Sequence, residues 1–162
     1  MSSGCLIVQS GETSLDDWAK LRFLLWPQRS CDEHLTELNQ FLSSPEKQAA
    51  FMAYSETGVA IGFAEVCLRY DYVNGCKTSP VAFLEGIFVE EAHRRMGVAR
   101  ALVGQAVAWS QDNGVEELAS DAGIENITSH TMHKALGFEE TQRVVYFRRK
   151  LTKSPSSSRG RG

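Results

Sequence analysis

The sequence predicts a single mixed α/β domain. Strand-like and helix-like hydrophobic periodicities alternate along the 162 residues in the order β-α-α-β-β-β-α-β-α-β. The stretch Val81–Val89 is almost continuously apolar, which predicts a central strand buried on both faces. No repeat or linker interrupts the pattern. We therefore expect one domain over residues 1–152, followed by a disordered or added tail over residues 153–162.

The N-terminal half is predicted to contain a strand, two helices and a hairpin. Thr13 with Asp16, or Ser14 with Asp17, gives the first helix a start that resembles a capping box, and Pro27 stops it. Ser30 and Glu33 have the same spacing and predict where the second helix begins. In chain order, the predicted segments are a strand at 5–11, helices at 13–26 and 31–44, and a hairpin at 49–70.

The C-terminal half alternates strands with helices that end at glycines. Gly97 precedes a helix that closes at Gly114, and Gly137 closes the next one. Asp121 ends the short strand between them. In chain order, the predicted segments are a loop at 71–80, a strand at 81–89, a helix from 97 to about 113, a strand at 116–121, a helix at 125–137 and a final strand at 141–150.

The net charge of −3 conceals an acidic body and a basic C-terminus. Residues 143–162 contain seven of the 17 lysines and arginines and no acid, so residues 1–142 carry 10 basic and 20 acidic side chains, a net of −10. An acidic body favours a cationic partner and argues against nucleic acid. The sequence has no run of about 18 apolar residues and no convincing signal peptide. We therefore expect a cytoplasmic protein with no membrane partner.

The cysteines and histidines do not predict a metal site. Cys5, Cys31, Cys67 and Cys76 are scattered without C-x-x-C pairing. This usage predicts reduced thiols in place of a disulfide framework or a zinc site. The four histidines also lack metal-ligand spacing, so we expect no metal.

Residues 93–103, HRRMGVARALV, join a basic loop to an apolar helix. Gly97 allows a tight turn without a Cβ, and the unpaired N–H groups of a helix start attract an anion. Arg94, Arg95 and Arg100 add positive charge. Neither the Walker nor the Rossmann glycine pattern is present. The segment predicts a phosphate site, and the alternative is an ordinary helix start with a solvated basic face.

Two motifs together resemble the GCN5-related N-acetyltransferase (GNAT) superfamily. LEGIFVEEAHRRMGVA contains R-x-x-G-x-A, and ENITSHTMHKALGFEE resembles N-x-x-[AS]-x-x-x-[YH]-x-x-x-G-F. The resemblance implies a GNAT domain with a mixed, mostly antiparallel sheet, flanked by helices and splayed at the central strands that bind acetyl-CoA. It also implies that acetyl-CoA is bound by Ile87, Phe88, Val89, Arg94, Arg95, Gly97, Val98, Ala99, Arg100, Asn126 and His133.

The segments FLEGIFV, DYVNGC, ASD and HKALGFEE resemble the aminoglycoside 6′-N-acetyltransferases over about residues 13–150. This resemblance implies transfer of an acetyl group from acetyl-CoA to the 6′-amine of an aminoglycoside antibiotic, which confers resistance. It implies direct attack within a ternary complex, and homodimers are common among such enzymes.

Two acids are candidates for binding the substrate amine and accepting its proton. Glu85 interrupts the apolar strand, where a buried carboxylate needs a partner or a function, and Asp121 ends the next strand. The sequence does not decide which of them is the base, and both have structural alternatives. Trp26 and Tyr72 would offer ring faces to the substrate. Gln142 stands where close relatives place an acid, which leaves the range of accepted aminoglycosides open.

The remaining chemistry concerns the oxyanion and the leaving thiolate. The backbone N–H of Val89 is our candidate oxyanion donor. His133 occupies the position where the superfamily usually has a tyrosine, and it either donates a proton to the thiolate or only hydrogen-bonds the cofactor. Two other functions stay open: acetylation of a polyamine, another small amine or a protein N-terminus, and a non-catalytic module that binds CoA.

Overall fold

The computed structural model describes residues 4–154. Within that range the strands are β1 (Leu6–Gln9), β2 (Gln48–Tyr54), β3 (Ala60–Arg69), β4 (Val81–Val89) and β5 (Leu118–Ser120). The α-helices are α1 (Leu15–Leu25), α2 (Cys31–Leu42), α3 (Val98–Asp112) and α4 (Ile127–Ala135). Short 3-10 turns lie at Glu12–Ser14 and Glu91–His93. Most of the predicted tail, residues 155–162, lies outside the described residues.

The five strands form one open sheet in the order β1-β2-β3-β4-β5. Each of the first four pairs antiparallel with its neighbour, whereas β4 and β5 are parallel. A parallel pair needs a crossover connection, and α3 supplies it. The mixed, mostly antiparallel sheet flanked by helices is therefore confirmed.

The central strands separate partway along their length. The parallel pairing of β4 with β5 runs only from Ala82↔Leu118 to Leu84↔Ser120, whereas β4 continues to Val89. The backbone of the second half of β4 is therefore not paired with β5. This opening confirms the splayed sheet and creates a cleft at the end of β5.

The core has one apolar layer on each face of the sheet. Because side chains alternate along a strand, Phe51 packs in the layer that contains α3, and its neighbour Met52 packs in the layer that contains α1 and α2. Leu102 of α3 and Trp18 of α1 are fully buried in these two layers. The sheet is thus held from both sides, and its separated edge lies beside α3 and α4.

A β-bulge interrupts β4 at Glu85. Glu65 of β3 pairs with Gly86, but the next residue of β3, Val66, pairs with Leu84, so Glu85 has no partner residue on β3. The expectation that this strand is buried along its whole length is wrong. Val81–Leu84 is buried, but Glu85 is exposed and residues 86–88 are half-buried, because the strand separation opens a cleft over them.

The helix ends follow local sequence signals in most cases. Ser30 and Glu33 form the predicted capping box of α2, with bonds of 3.1 and 2.8 Å. The predicted cap of α1 is wrong, since the Ser14 hydroxyl bonds back to the backbone of Gly11. Gly114 and Gly137 have positive φ values of 73° and 91°, as expected for glycines that end helices.

The predicted final strand at residues 141–150 is wrong for the single chain. These residues have no regular secondary structure, although their sequence alternates like a strand. A strand requires a neighbour for its backbone hydrogen bonds, and within residues 4–154 none pairs with this segment. Its apolar side chains are consequently exposed, Phe147 to 93%.

Candidate active site

A cavity of about 220 Å³ opens where β4 and β5 separate. Its wall is built from the end of α1, the bulged half of β4, the residues after β5 and the start of α4. The structure brings six of the sequence-predicted site residues to this cavity: Trp26, Glu85, Ile87, Asp121, Asn126 and His133.

A larger groove of about 1480 Å³ continues from this cavity. Both spaces are lined by Ser120, Asp121, Ala122 and His133, so they meet at the end of β5. Tyr72, whose side chain is exposed, and Gln142 line the groove only. The groove is predominantly acidic, because three lysines and arginines face six carboxylates: Asp71, Glu116, Glu117, Asp121, Glu139 and Glu140.

Glu85 is neither buried nor unpartnered. Its side chain is 35% exposed, and Arg69 of β3 binds both carboxylate oxygens at 2.8 and 3.0 Å through Nη2. The Arg69 Nε atom donates to Oε1 at 3.1 Å, and the Cys67 thiol donates a fourth hydrogen bond, at 2.9 Å to Oε1. Burial, followed by this contact with Glu85, raises the pKa of Cys67 to about 12. Glu85 is therefore held in place by two neighbours on β3.

Asp121 has a different environment from that of Glu85. It lies just past the end of β5, exposed, at the junction of the cavity and the groove. Within residues 4–154 no hydrogen bond or ion pair reaches its carboxylate. The two acids are thus distinct: Glu85 is fixed by an arginine, whereas Asp121 is available to a ligand.

His133 is held between two serines. Its Nδ1 lies 2.7 Å from the carbonyl oxygen of Ser129, and because a carbonyl only accepts, Nδ1 must carry the proton. In the neutral ring Nε2 then accepts from the Ser120 hydroxyl at 2.7 Å. Neutral His133 therefore has no N–H directed at the cavity. A proton from this pair would reach the cavity through the Ser120 hydroxyl.

The backbone at the start of α3 is suited to an anion. Gly97 is the N-cap residue with φ of 82°, and no side chain caps this end of the helix. The first helical bond runs from Ala101 N–H to the Gly97 carbonyl, at 3.0 Å. The N–H groups of residues 98–100 consequently have no acceptor in the helix. No acid lies in the first turn, so this helix start fits a phosphate group.

Two of the arginines expected at this anion site bind backbone carbonyls. The Nε atom of Arg94 donates to the Val89 carbonyl at 2.8 Å, and Nη2 of Arg100 donates to the Ala135 carbonyl at 3.0 Å. Eight predicted cofactor residues line neither cavity, because they lie at the far end of β4, in the turn that follows it and in the first turn of α3: Phe88, Val89, Arg94, Arg95, Gly97, Val98, Ala99 and Arg100.

Several residues that shape the site were missed by the sequence analysis. Cys67 and Arg69 are two residues apart on β3, so their side chains lie on the same face. The pairing of β3 with β4 places both beside Glu85. Ser120 and Ser129 lie within the quoted motifs. The contact of Ser120 with His133 depends on how α4 packs against β5, whereas Ser129 lies one helical turn before His133 within α4.

Two further properties concern the described residues as a whole. Across residues 4–154, no cluster of three or more His, Cys, Asp or Glu side chains is arranged to hold a metal ion. In the same part of the chain, every helix is too short or too polar to span a membrane.

Comparison with known proteins identifies the family. Residues 15–138 match the acetyltransferase (GNAT) family. The chain belongs to the GNAT acetyltransferase family. Members of this family take their acetyl group from acetyl-CoA, whose phosphates fit the uncapped start of α3.

The GNAT chain is similar to curated acetyltransferases along most of its length. It is 49% identical to aminoglycoside N(6′)-acetyltransferase type 1 of Serratia marcescens, covering 90% of this chain and 99% of that one. It is 48% identical to the enzyme of the same name from Acinetobacter baumannii, covering 90% and 98%.

Solved structures give the same picture. The crystal structure of the aminoglycoside 6′-N-acetyltransferase AAC(6′)-Ih from Acinetobacter baumannii superposes with a TM-score of 0.87 at 47% identity, covering 92% of this chain and 100% of that one. The structure of AAC(6′)-Iy with the bisubstrate analogue CoA-S-monomethyl-acetylneamine has a TM-score of 0.86 at 45% identity, covering 91% and 99%.

Proposed function

We propose that this GNAT acetyltransferase acetylates the 6′-amine of aminoglycoside antibiotics and thereby confers resistance to them. The observation that supports the proposal best is the acidic groove that meets the strand separation at Asp121. An aminoglycoside carries several ammonium groups, for which carboxylates are the matching hydrogen-bond acceptors. The names of the relatives agree with this substrate class.

The acetyl donor is proposed to lie between the start of α3 and the cavity. The free N–H groups of Val98, Ala99 and Arg100, with the charge of Arg94 and Arg95, would bind its pyrophosphate. Backbone groups of Ile87–Val89 would bind the arm that leads from the pyrophosphate to the thioester. Asn126 and His133 would then contact the donor from α4.

Asp121 is proposed as the proton acceptor and Glu85 as a binding group for the substrate ammonium. An amine attacks only after it loses its proton, so an acceptor is needed, either in contact with the amine or through a water. Asp121 suits this role because none of residues 4–154 pairs with its carboxylate, whereas Glu85 is already bound by Arg69. Trp26 would form one wall for the sugar ring, with Tyr72 and Gln142 further along the groove.

The amine nitrogen then attacks the thioester carbonyl directly, and no acyl-enzyme forms. The backbone N–H of Val89 remains our candidate donor to the oxyanion. As the intermediate collapses, the C–S bond breaks, the nitrogen releases its second proton to solvent and the thiolate takes up one proton. We propose that His133, after taking a proton from solvent, supplies this proton through the Ser120 hydroxyl.

Neomycin and paromomycin provide a matched pair of substrates, because they differ only in carrying an amine or a hydroxyl at the 6′ position. We expect CoA release with neomycin and none with paromomycin, and mass spectrometry should find a single acetyl group on the 6′-nitrogen. Expression in a susceptible bacterium should raise tolerance to kanamycin, tobramycin and amikacin. Turnover of spermidine with neither aminoglycoside would establish a polyamine acetyltransferase instead.

Steady-state kinetics distinguish direct transfer in a ternary complex from transfer through an acetylated enzyme. Direct transfer requires both substrates on the enzyme at once, so initial-velocity plots should intersect. Acetyl-CoA alone should leave no acetyl group on the protein. Parallel plots, together with a stable acetylated protein, would contradict the ternary mechanism.

We also propose that two copies of the chain associate through the segment Val144–Leu151. Val145, Tyr146, Phe147 and Leu151 are exposed there, which is an unusual apolar surface for a monomer. The alternating sequence of this segment suits a strand, and a second copy would provide the partner that one chain lacks. Because acetyl-CoA is an intracellular metabolite, the proposed reaction takes place in the cytoplasm.

A further inference from the structure

A buried charged network lies behind the candidate active site and has no part in the proposed chemistry. Glu65 of β3 is only 3% exposed and pairs with Gly86, the residue after the bulge. The indole N–H of Trp18 donates to Glu65 Oε1 at 2.9 Å. Arg22 of α1 places its Nε atom 2.8 Å from the same oxygen, and its Nη2 donates to Oε2 at 3.3 Å.

Burying these charged side chains costs free energy, so stabilisation of the fold alone does not explain the network. Burial raises the pKa of Glu65, and the charge of Arg22 only opposes this effect. Replacing a buried ion pair by apolar side chains of similar volume is often neutral or stabilising. A role in orienting a neighbouring group would account for a polar network at this position.

The network leads to the backbone of Trp26 through His34. Nη1 of Arg22 lies 3.5 Å from His34 Nδ1, and His34 Nε2 lies 3.0 Å from the Trp26 carbonyl oxygen. Since a carbonyl only accepts, Nε2 carries the proton, and Nδ1 presents its lone pair to the guanidinium. Arg22 therefore donates to His34, and His34 in turn donates to the Trp26 carbonyl.

Trp26 is held on its other sides as well. Its backbone N–H donates to the Arg22 carbonyl at 2.7 Å, and the Arg22 guanidinium lies 5.1 Å from the centre of its ring. Phe63 meets the ring edge-on with centroids 6.1 Å apart. A Cβ on Gly86 would approach the Trp26 Cη2 atom to 2.5 Å, so the ring packs directly on the strand of Glu85.

We propose that Glu65, Arg22 and His34 are positioning residues that fix Trp26 as a wall of the acceptor cavity. None of the three lines the cavity, whereas Trp26 does. The hydrogen bonds of the network therefore reach the acceptor cavity at Trp26. This inference rests on the proposed function, in which Trp26 contacts the sugar ring that carries the reactive amine.

Substitutions of His34 test the link to the Trp26 carbonyl. His34→Gln keeps an amide N–H that reaches the carbonyl, whereas His34→Leu removes the donor. We expect His34→Leu to raise the KM for neomycin about tenfold, the effect of one lost hydrogen bond, with the KM for acetyl-CoA changed less than twofold. His34→Gln should restore the KM for neomycin. His34→Asn, one methylene too short, repeats the test if the leucine variant does not fold.

Two comparisons separate positioning from a general structural role. In a Trp26→Ala background, His34→Leu should have no further effect on kcat/KM. Glu37→Gln removes the charge of another Arg22 partner, which lines neither the cavity nor the groove, so it should leave the KM for neomycin within twofold. Equal rises in both KM values, a persistent effect without Trp26, or a failure of His34→Gln to restore binding would overturn the proposal.

A spectroscopic measurement needs no substrate. In protein labelled with 5-fluorotryptophan, the ¹⁹F resonance of Trp26, assigned with Trp26→Phe, should shift or broaden in His34→Leu and remain unchanged in His34→Gln. An unchanged resonance in the leucine variant would overturn the positioning role. If wild-type protein turns over no aminoglycoside, the proposed function fails, and the spectrum still decides whether the network positions Trp26.

Discussion

At the scale of single residues, the most informative contact is that between Cys67 and Glu85. The thiol donates to a carboxylate that Arg69 also binds, so the protonation of one side chain reports on its neighbours. Because its pKa is raised to about 12, the Cys67 thiol is protonated at pH 8. The reactivity of the Cys67 thiol should therefore depend on the charge of Glu85.

The alkylation rate of Cys67 should depend on Glu85. Glu85→Gln removes the negative charge that disfavours the thiolate and leaves Arg69, which favours it. We expect iodoacetamide to modify Cys67 at least tenfold faster in the variant at pH 8, measured by peptide mass spectrometry. Exposed Cys31 in the same molecule is the control and should react at an unchanged rate. Equal Cys67 rates in the two proteins would contradict the contact.

Glu117 makes one loop of the groove sensitive to acid. It accepts hydrogen bonds from the backbone N–H groups of Lys77 and Thr78 and from the Thr78 hydroxyl, at 2.6 to 2.8 Å. These bonds, led by that of the hydroxyl, lower the pKa of Glu117. A carboxylate whose pKa is lowered on folding stabilises the fold above its unfolded pKa, and that contribution is lost as pH falls through the folded value.

Glu117→Gln should therefore lower the free energy of unfolding at pH 7, and the difference from wild type should shrink below about pH 4.5. Urea unfolding at a series of pH values measures both. A difference that stays constant from pH 7 to pH 3 would show that the charge of Glu117 does not contribute.

At the scale of elements, the packing requires a glycine at position 62 but not at position 104. A Cβ on Gly62 of β3 would lie 2.7 Å from the Phe88 carbonyl oxygen, which belongs to the backbone of β4. Gly104 lies within α3, and a Cβ there would meet nothing within 4 Å. The close approach of β3 to β4 depends on Gly62, whereas α3 gains nothing from the flexibility of Gly104.

Alanine substitutions test this contrast. Gly62→Ala should lower the free energy of unfolding by about 1–3 kcal/mol, because the strands must move apart. Gly104→Ala should raise it by about 0.5–1 kcal/mol, because alanine is the better helix former. Chemical denaturation measures both. A harmless Gly62→Ala would mean that the two strands have room to separate.

Local signals in the sequence predicted the elements that depend on neighbouring residues. The capping box of Ser30 and Glu33, the glycine turn at Gly97 and the order of elements from β1 to α4 all follow from spacing along the chain. Which charged side chain is buried could not be predicted from this spacing, because burial depends on tertiary packing. The buried acid is Glu65, not Glu85, since the bulge turns Glu85 towards the cleft.

At the scale of the whole molecule, the segment that fails to form a strand bears on oligomeric state. If Val144–Leu151 packs against a second copy, Phe147→Asp should produce a monomer by light scattering, while the wild-type chain is a dimer. Thr141→Asp, outside the segment, is the matched control and should leave the mass unchanged. A wild-type monomer, or a dimeric Phe147→Asp variant, would contradict the proposed association.

The short parallel pairing between β4 and β5 has a consequence for cooperativity. Three residues on each strand make the backbone pairing that joins β5 to β4. Amide hydrogens in β5 should therefore exchange with solvent at a lower opening free energy than those in β2 and β3. A ligand that contacts both β4 and the region of β5 and α4 would hold the two together. Binding of the donor would then stabilise the local fold of β5 and α4, and unfolding of that region would release the donor.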